Sequence, residues 1–424
     1  MRGKENGVAK WAAVFGSLIG AAFTANGYRP LFKRGYPSLY AFACGVFASE
    51  LPLQLIATQS ATLAAVSRRL SPRARWFSWL VSAASWCGLL GLNHFGRTAD
   101  VTLRVALDSE LGQDRRTGSN GPWKRPGPAA AAVEAPGTLR MLRAYRDFAR
   151  DRDISYGEYG RRNMLDIWRH PDLSRDGRAP VLLQVPGGAW MVGSKRGQAY
   201  PLMSHLASLG WVCVSINYRL SPRSTWPDHI VDVKRAIAWT REHIAECGGD
   251  PDWIAITGGS AGGHLCALAA LTAGDPQFQP GFEDADTSVR AAVPFYGIYD
   301  FSGGVGTLHP QLVPALQTYV FKQSRRRFPD IYQTASPINH VSPAAPPFFV
   351  LHGSNDSLVP VSQARDFTAR LRAVSEQPVV YAELPYAQHA FDALASARTR
   401  RVAVAVEQFL AEIYAPLGAA PRSA

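Results

Sequence analysis

Residues 253–271 read Trp253-Ile254-Ala255-Ile256-Thr257-Gly258-Gly259-Ser260-Ala261-Gly262-Gly263-His264-Leu265-Cys266-Ala267-Leu268-Ala269-Ala270-Leu271. The first five favour a strand, and the Ala/Leu run after the glycines favours a helix. A Gly-x-Ser-x-Gly turn between the two leaves no room for side chains beside the serine, and it presents the Ser260 hydroxyl at a sharp bend. Glycine-rich turns before helices also bind phosphates. Here no Lys-Ser/Thr pair completes a P-loop and no acidic residue marks a dinucleotide site. The helix N-terminus is better used to stabilise an oxyanion through the Ala261 N–H.

Outward from this turn the texture is α/β. Strand candidates fall at 164–168, 181–185, 212–217, 253–257, 291–295, 348–352 and 379–384. Helical periods lie between them at 200–209, 230–247, 261–273, 361–374 and 400–413. That alternation predicts a mostly parallel sheet flanked by helices. Residues 299–341 break the rhythm with Gly, Pro and the Arg325–Arg327 cluster, and we read them as a cap over the sheet's C-terminal edge.

A serine nucleophile needs a base, and the base needs an acid to orient it. Leu351-His352-Gly353-Ser354-Asn355-Asp356 closes one strand and Tyr386-Ala387-Gln388-His389 follows the next. The order Ser260, Asp356, His389 is that of an α/β-hydrolase. His352 reads as a structural hydrogen-bonding residue, and His264 sits on the helix of Ser260, pointing along it rather than across to the hydroxyl. Asp300 is the rival acid. Upstream, Val185-Pro186-Gly187-Gly188-Ala189-Trp190 follows a strand, and its Gly188 and Ala189 N–H groups are candidate oxyanion donors beside Ala261. The five cysteines are scattered, without metal-ligand or Cys-x-x-Cys spacing, so neither a metal nor a cofactor is expected.

The blocks PGGAW (186–190), INYRLSP (216–222), GGSAGG (258–263), FYGIYDF (295–301), LHGSNDSLVP (351–360) and YAQHAF (386–391) resemble the hormone-sensitive-lipase-like carboxylesterases of the α/β-hydrolase superfamily. Within that group, residues 155–415 look like the actinobacterial membrane-associated lipase/esterases. The resemblance implies a serine ester hydrolase acting through an acyl-enzyme: Ser260 attacks, His389 carries the proton and Asp356 orients the imidazole. In one place the chain departs from the family pattern, where Pro186 replaces the histidine of His-Gly-Gly-Gly/Ala. Only position 186 loses its N–H by that change. The same triad would serve an acyltransferase on a membrane or cell-envelope acceptor, and a non-catalytic binding protein on this scaffold would be expected to lack a triad member. Acyl-chain length and oligomeric state are not legible. Phe295, Tyr296, Phe301, Leu308 and Tyr319 are cleft candidates, although aromatics at such spacing are more often core.

The 424 residues are 47% apolar and 18% charged, which excludes a disordered chain. Residues 1–100 hold eleven Lys/Arg against three acids, leaving 34 against 30 for the rest. The excess flanks apolar runs instead of forming a basic face, a pattern that points to a membrane and away from nucleic acid. Runs 11–28 and 76–96 would reach ~27 and ~31 Å as helices, about a hydrocarbon core. Residues 35–67 carry Glu50 and Pro52 at their centre, so they read as one kinked span or two short helices, with buried helices as the alternative. A signal peptide over 11–28 has only a poor small-x-small cleavage match. The expected organisation is a membrane region of two to three spans (1–97), helices and a Gly/Pro/Ala linker (98–152), a catalytic domain (153–415) and a tail (416–424). Charge counting places the catalytic domain outside the plasma membrane. Residues beyond about 150 are expected to fold and act alone on a small-molecule or lipid ester.

Overall fold

The computed structural model describes residues 2–32, 35, 37–112, 138–303 and 312–418. Its elements are α1 (Arg2–Tyr28), α2 (Pro37–Glu50), α3 (Pro52–Ser67), α4 (Pro72–Arg97), α5 (Ala99–Leu111), α6 (Thr138–Phe148), β1 (Ala149–Ser155), β2 (Met164–Trp168), β3 (Ala179–Val185), α7 (Tyr200–Ser208), β4 (Val212–Ile216), α8 (Asp228–His243), β5 (Gly249–Gly259), α9 (Ala261–Leu271), β6 (Ala291–Phe295), α10 (Leu312–Ala315), α11 (Pro329–Thr334), β7 (Phe348–Gly353), α12 (Ser362–Val374), β8 (Val379–Leu384) and α13 (Ala397–Gly418).

The eight strands form one sheet in the order β1-β2-β4-β3-β5-β6-β7-β8. β1 and β2 run antiparallel to their neighbours and the other pairs are parallel. Strands β3, β4, β6 and β7 are buried along their whole length, as a sheet covered on both faces requires. One face packs on α8, α9 and α12 through Ile230, Leu265 and Phe367. The other packs on α5, α7 and α13 through Leu103, Leu206 and Val406.

All seven expected strands form. The eighth, β1, lies where the sequence reads as the end of a helix over 138–152, because Ala-Arg-Asp-Arg-Asp-Ile-Ser has no apolar alternation. It is an edge strand, and its charges are paired laterally: Asp151 with Arg169 at 3.4 Å and Asp153 with Lys195 at 2.7 Å. Charged edges of this kind resist further strand pairing.

α5, expected as a polar helix ahead of the linker, buries Leu103, Leu107 and Leu111 in the core under β8 and α13. The linker residues 113–137 lie outside the described residues, as do 419–424 of the tail. The insertion after β6 holds α10, a wide turn over Leu316–Val320, and α11. Leu316, Val320 and Phe321 pack into the core beside Trp226.

Among the described residues no single helix is long and apolar enough to cross a membrane. Only the pair α2 and α3 has the length and composition, and it is bent by 96° at Leu51. The expected runs 11–28 and 76–96 do fall in helices, α1 and α4, but polar residues interrupt their apolarity. These residues face each other: Thr24 Oγ1 and Ser85 Oγ are 2.8 Å apart, and Ser82 Oγ donates to Ser17 Oγ at 3.1 Å. The outward faces carry Trp11, Phe15, Ile19, Trp76 and Leu80.

Candidate active site

Ser260 stands between β5 and α9 at φ 58°, ψ −120°, a conformation that costs a non-glycine residue of order 1–3 kcal/mol. The surroundings impose it. A Cβ on Gly258 would lie 2.5 Å from the Gly262 carbonyl oxygen, and one on Gly262 would lie 2.2 Å from that of Val185, so only glycine lets helix and strand approach this closely. The Ser260 N–H is anchored on the Phe295 carbonyl at 3.0 Å.

His389 follows β8 and Asp356 follows β7. Nδ1 of His389 lies 2.7 Å from Asp356 Oδ2, and both residues are buried. Oδ1 of Asp356 accepts from the Leu358 and Val359 N–H groups, each at 2.8 Å. Burial by itself would raise this carboxyl's pKa. The charge and hydrogen bonds of His389 and His352 outweigh it and hold the group well below the usual carboxylate range. Asp300 is not in this chain of contacts; its Oδ1 accepts from the backbone and hydroxyl of Ser302.

The two other histidines weighed from the sequence have structural settings. His264 Nδ1 accepts from the Trp190 indole at 3.2 Å, and Nε2 faces the Ala335 carbonyl at 2.8 Å. Full burial pushes its pKa down to about 3, so it is neutral at any ordinary pH. His352 Nε2 lies 3.0 Å from the Val359 carbonyl and 3.2 Å from Asp356 Oδ2, which gives Asp356 a second imidazole neighbour.

The loop after β3 passes over Ser260 with Gly188 at φ 128° and Ala189 at φ 52°. The Gly187 N–H is occupied, donating to Gln198 Oε1 at 2.7 Å, while Gln198 Nε2 returns a bond to the Gly187 carbonyl at 3.2 Å. The Tyr218 hydroxyl donates to the Pro186 carbonyl at 3.0 Å. Gln198 and Tyr218 therefore hold a loop that lacks the histidine of the family pattern. Sequence reasoning had not singled them out, although Tyr218 lies inside the INYRLSP block. Among the described residues the Gly188 and Ala189 N–H groups have no protein acceptor.

Ser260 and His389 open into one cleft of about 460 Å³, bordered by Gly188, Ala189, Met191, Val192, Tyr296 and Leu358. Of the four cleft candidates among the described residues only Tyr296 lines it. Its ring lies 4.6 Å from that of His389 and its hydroxyl donates to Asp392. Phe295 and Phe301 are core, Tyr319 is exposed, and Leu308 lies outside the described residues. No described residue of the 299–341 insertion lines this cleft; its lining comes from the C-terminal ends of β3 and β5 and from the segments that follow β3, β5, β6, β7 and β8.

Comparison with known proteins gives a consistent picture. The BD-FAE family model matches residues 165–371. The probable carboxylic ester hydrolase LipM of Mycobacterium tuberculosis is 61% identical over 94% of this chain and 94% of its own length. Esterase LipQ of the same organism is 47% identical over 91% and 87%. Among solved structures, Thermogutta terrifontis esterase 2 phosphonylated by sarin shares 25% identity at a TM-score of 0.52, covering 61% of this chain and 94% of that one.

Proposed function

This chain belongs to the carboxylic ester hydrolases of the α/β-hydrolase fold, and we propose that it works through Ser260, His389 and Asp356 by way of an acyl-enzyme. Ser260 Oγ attacks the ester carbonyl as His389 Nε2 takes its proton, and the same imidazole returns that proton to the departing alcohol. Water then repeats the sequence on the acyl-enzyme. Asp356, ionised throughout, fixes the tautomer with the proton on Nδ1 and stabilises the imidazolium. The N–H groups of Gly188, Ala189 and Ala261 take the oxyanion.

The observation that carries this reading is the 2.7 Å contact between His389 and Asp356 at the mouth of a cleft shared with the strained Ser260. Phosphonylation of the Thermogutta esterase by sarin fits a nucleophile of this kind. The test is a p-nitrophenyl ester series from acetate to palmitate, run on the parent and Ser260→Ala proteins. Turnover that survives in Ser260→Ala would end the proposal, and acyl transfer to an added alcohol in preference to water would recast the enzyme as an acyltransferase.

The substrate is a small-molecule or lipid ester, and we place the N-terminal helices at a membrane, with the catalytic domain on the outer side of the plasma membrane. What supports this is the inverted polarity of α1 and α4, with hydroxyls in the seam and large apolar side chains outside. Their glycines also allow close approach: a Cβ on Gly88 would lie 2.5 Å from Thr24 Cγ2. Release of the full-length protein into the supernatant by carbonate would rule out the embedded reading.

A further inference from the structure

The acid and base of the proposed site sit on two short loops, residues 354–359 and 385–391, and both loops rest on the N-terminal helices. Asn355, next to Asp356, donates through Nδ2 to the Gly27 carbonyl at 2.8 Å and to the Tyr28 carbonyl at 2.9 Å. These are the last residues of α1, whose terminal carbonyls have no partner within the helix. The Ser357 hydroxyl reaches the Ser38 carbonyl of α2 at 3.4 Å. On the other loop, Tyr386 is held between Tyr28 and Phe95, with ring centroids at 5.2 and 4.5 Å. Gln388, beside His389, packs against Gly45 of α2 so closely that a Cβ there would lie 3.0 Å from its Nε2.

The two loops are also tied to each other. Gln388 Oε1 accepts from the Ser357 N–H at 2.7 Å and from the His389 N–H at 2.9 Å, and the Asn355 N–H donates to the Ala387 carbonyl at 3.0 Å. A shift of Asn355 is therefore passed to both members of the pair. One N-terminal side chain reaches the imidazole itself: the Phe42 ring of α2 meets His389 edge-on at 6.0 Å.

We propose that the N-terminal helices complete the hydrolytic site, with Asn355 as the residue that positions the acid and base loops and Phe42 as the wall that packs and dries the imidazole. This rests on the assignment of Ser260, His389 and Asp356 above. Resting the loops on α1 and α2 fixes the Asp356–His389 geometry, and small misplacements of such groups are costly in rate: about 10²-fold for ~1 Å. Phe42 limits water around a group that must exchange its proton with Ser260 and with the leaving alcohol.

The experiment uses the full chain in detergent, with Asn355→Leu, Phe42→Ala and Ser260→Ala. Asn355→Leu removes both hydrogen bonds to α1 without adding charge, and Phe42→Ala deletes one ring contact while leaving every backbone hydrogen bond in place. The expected result is a kcat reduced ~10–100-fold in Asn355→Leu with KM within about twofold of the parent. Phe42→Ala lowers kcat to a smaller extent, again with KM close to the parent. If Asn355→Leu fails to fold, Phe42→Ala decides alone. A parent-like kcat in the folded variants, alongside an inactive Ser260→Ala, would overturn the positioning role and leave the triad standing. An active Ser260→Ala would overturn both.

Discussion

Ser260 is held at φ 58° by glycines whose replacement would drive a Cβ into backbone carbonyls, and that strained turn places it on the cleft at the C-terminal end of β5. Because the proposed triad acts as a unit, Ser260→Ala and His389→Ala are each expected to lower ester turnover by ~10⁴–10⁶-fold in a folded protein. Asp356→Asn is expected to lower kcat by about 10⁴-fold by allowing the wrong tautomer, with Asp300→Asn close to the parent. The reverse order for the two aspartates would move the acid to the end of β6. Stability has its own titrating residues. His264 and His229 are both buried, and burial pushes each pKa from 6.5 to about 3. A group depressed in the folded state contributes stability above its unfolded pKa and loses it as pH falls, so the window here runs from about 6.5 down to about 3. Between pH 7 and pH 5 each histidine is expected to cost about 2 kcal/mol. Urea unfolding at the two pH values measures the sum, and His264→Gln should remove about half of the difference. An unchanged difference in that variant would assign the acid sensitivity elsewhere.

At the scale of elements, legibility followed burial and local chemistry. Strands β2, β6 and β8 begin and end at the residues the sequence marks, since apolar side chains facing the core dominate each of them, Asp166 and Glu383 being the charged exceptions. β1 escaped notice because Ala149 and Ile154 are its only apolar residues and what makes it a strand is its pairing with β2, which no local pattern records. The same holds for Gln198, whose amide clamps Gly187 from eleven residues away. The α2–α3 break is the opposite case, with Glu50-Leu51-Pro52 announcing a bend and a carboxylate in an apolar stretch. The partner was invisible: Glu50 pairs with Arg398 of α13 and accepts from the Ser396 hydroxyl at 2.6 Å, both charges being essentially fully buried. Removing one member of such a pair strands the other charge. Glu50→Ala is therefore expected to destabilise the protein by about 3–5 kcal/mol, whereas Glu50→Met with Arg398→Leu should recover most of it. Denaturant melts in detergent would show this, and a single variant as stable as the parent would mean the pair is solvated in solution.

Across the whole molecule, composition and packing give different divisions of the chain. Charge and apolar runs separate the first hundred residues from the rest, and the Gly/Pro/Ala stretch 113–137 looks like the joint between an anchor and an independent enzyme. Packing ties α1, α2 and α5 to the catalytic part of the chain. α5 buries three leucines under β8 and α13, Glu110 pairs with Arg372 of α12 at 2.6 Å, Glu50 is locked to α13, and Asn355 is bound to the end of α1. The site chemistry was legible because nucleophile, acid and base each end a strand; the support beneath it was not, since it depends on contacts more than 300 residues apart in the chain. These contacts outlast a break in the joint, because none of them runs through it. Cutting the folded protein at a protease site introduced between residues 113 and 137 is therefore expected to leave the two pieces co-migrating on gel filtration in detergent, with more than half of the ester turnover retained. Denaturant should be required to part them. A catalytic piece that separates freely and keeps full activity would show that the N-terminal helices are a detachable anchor, as composition alone suggests, and that the contacts beneath Asp356 and His389 contribute nothing to the rate.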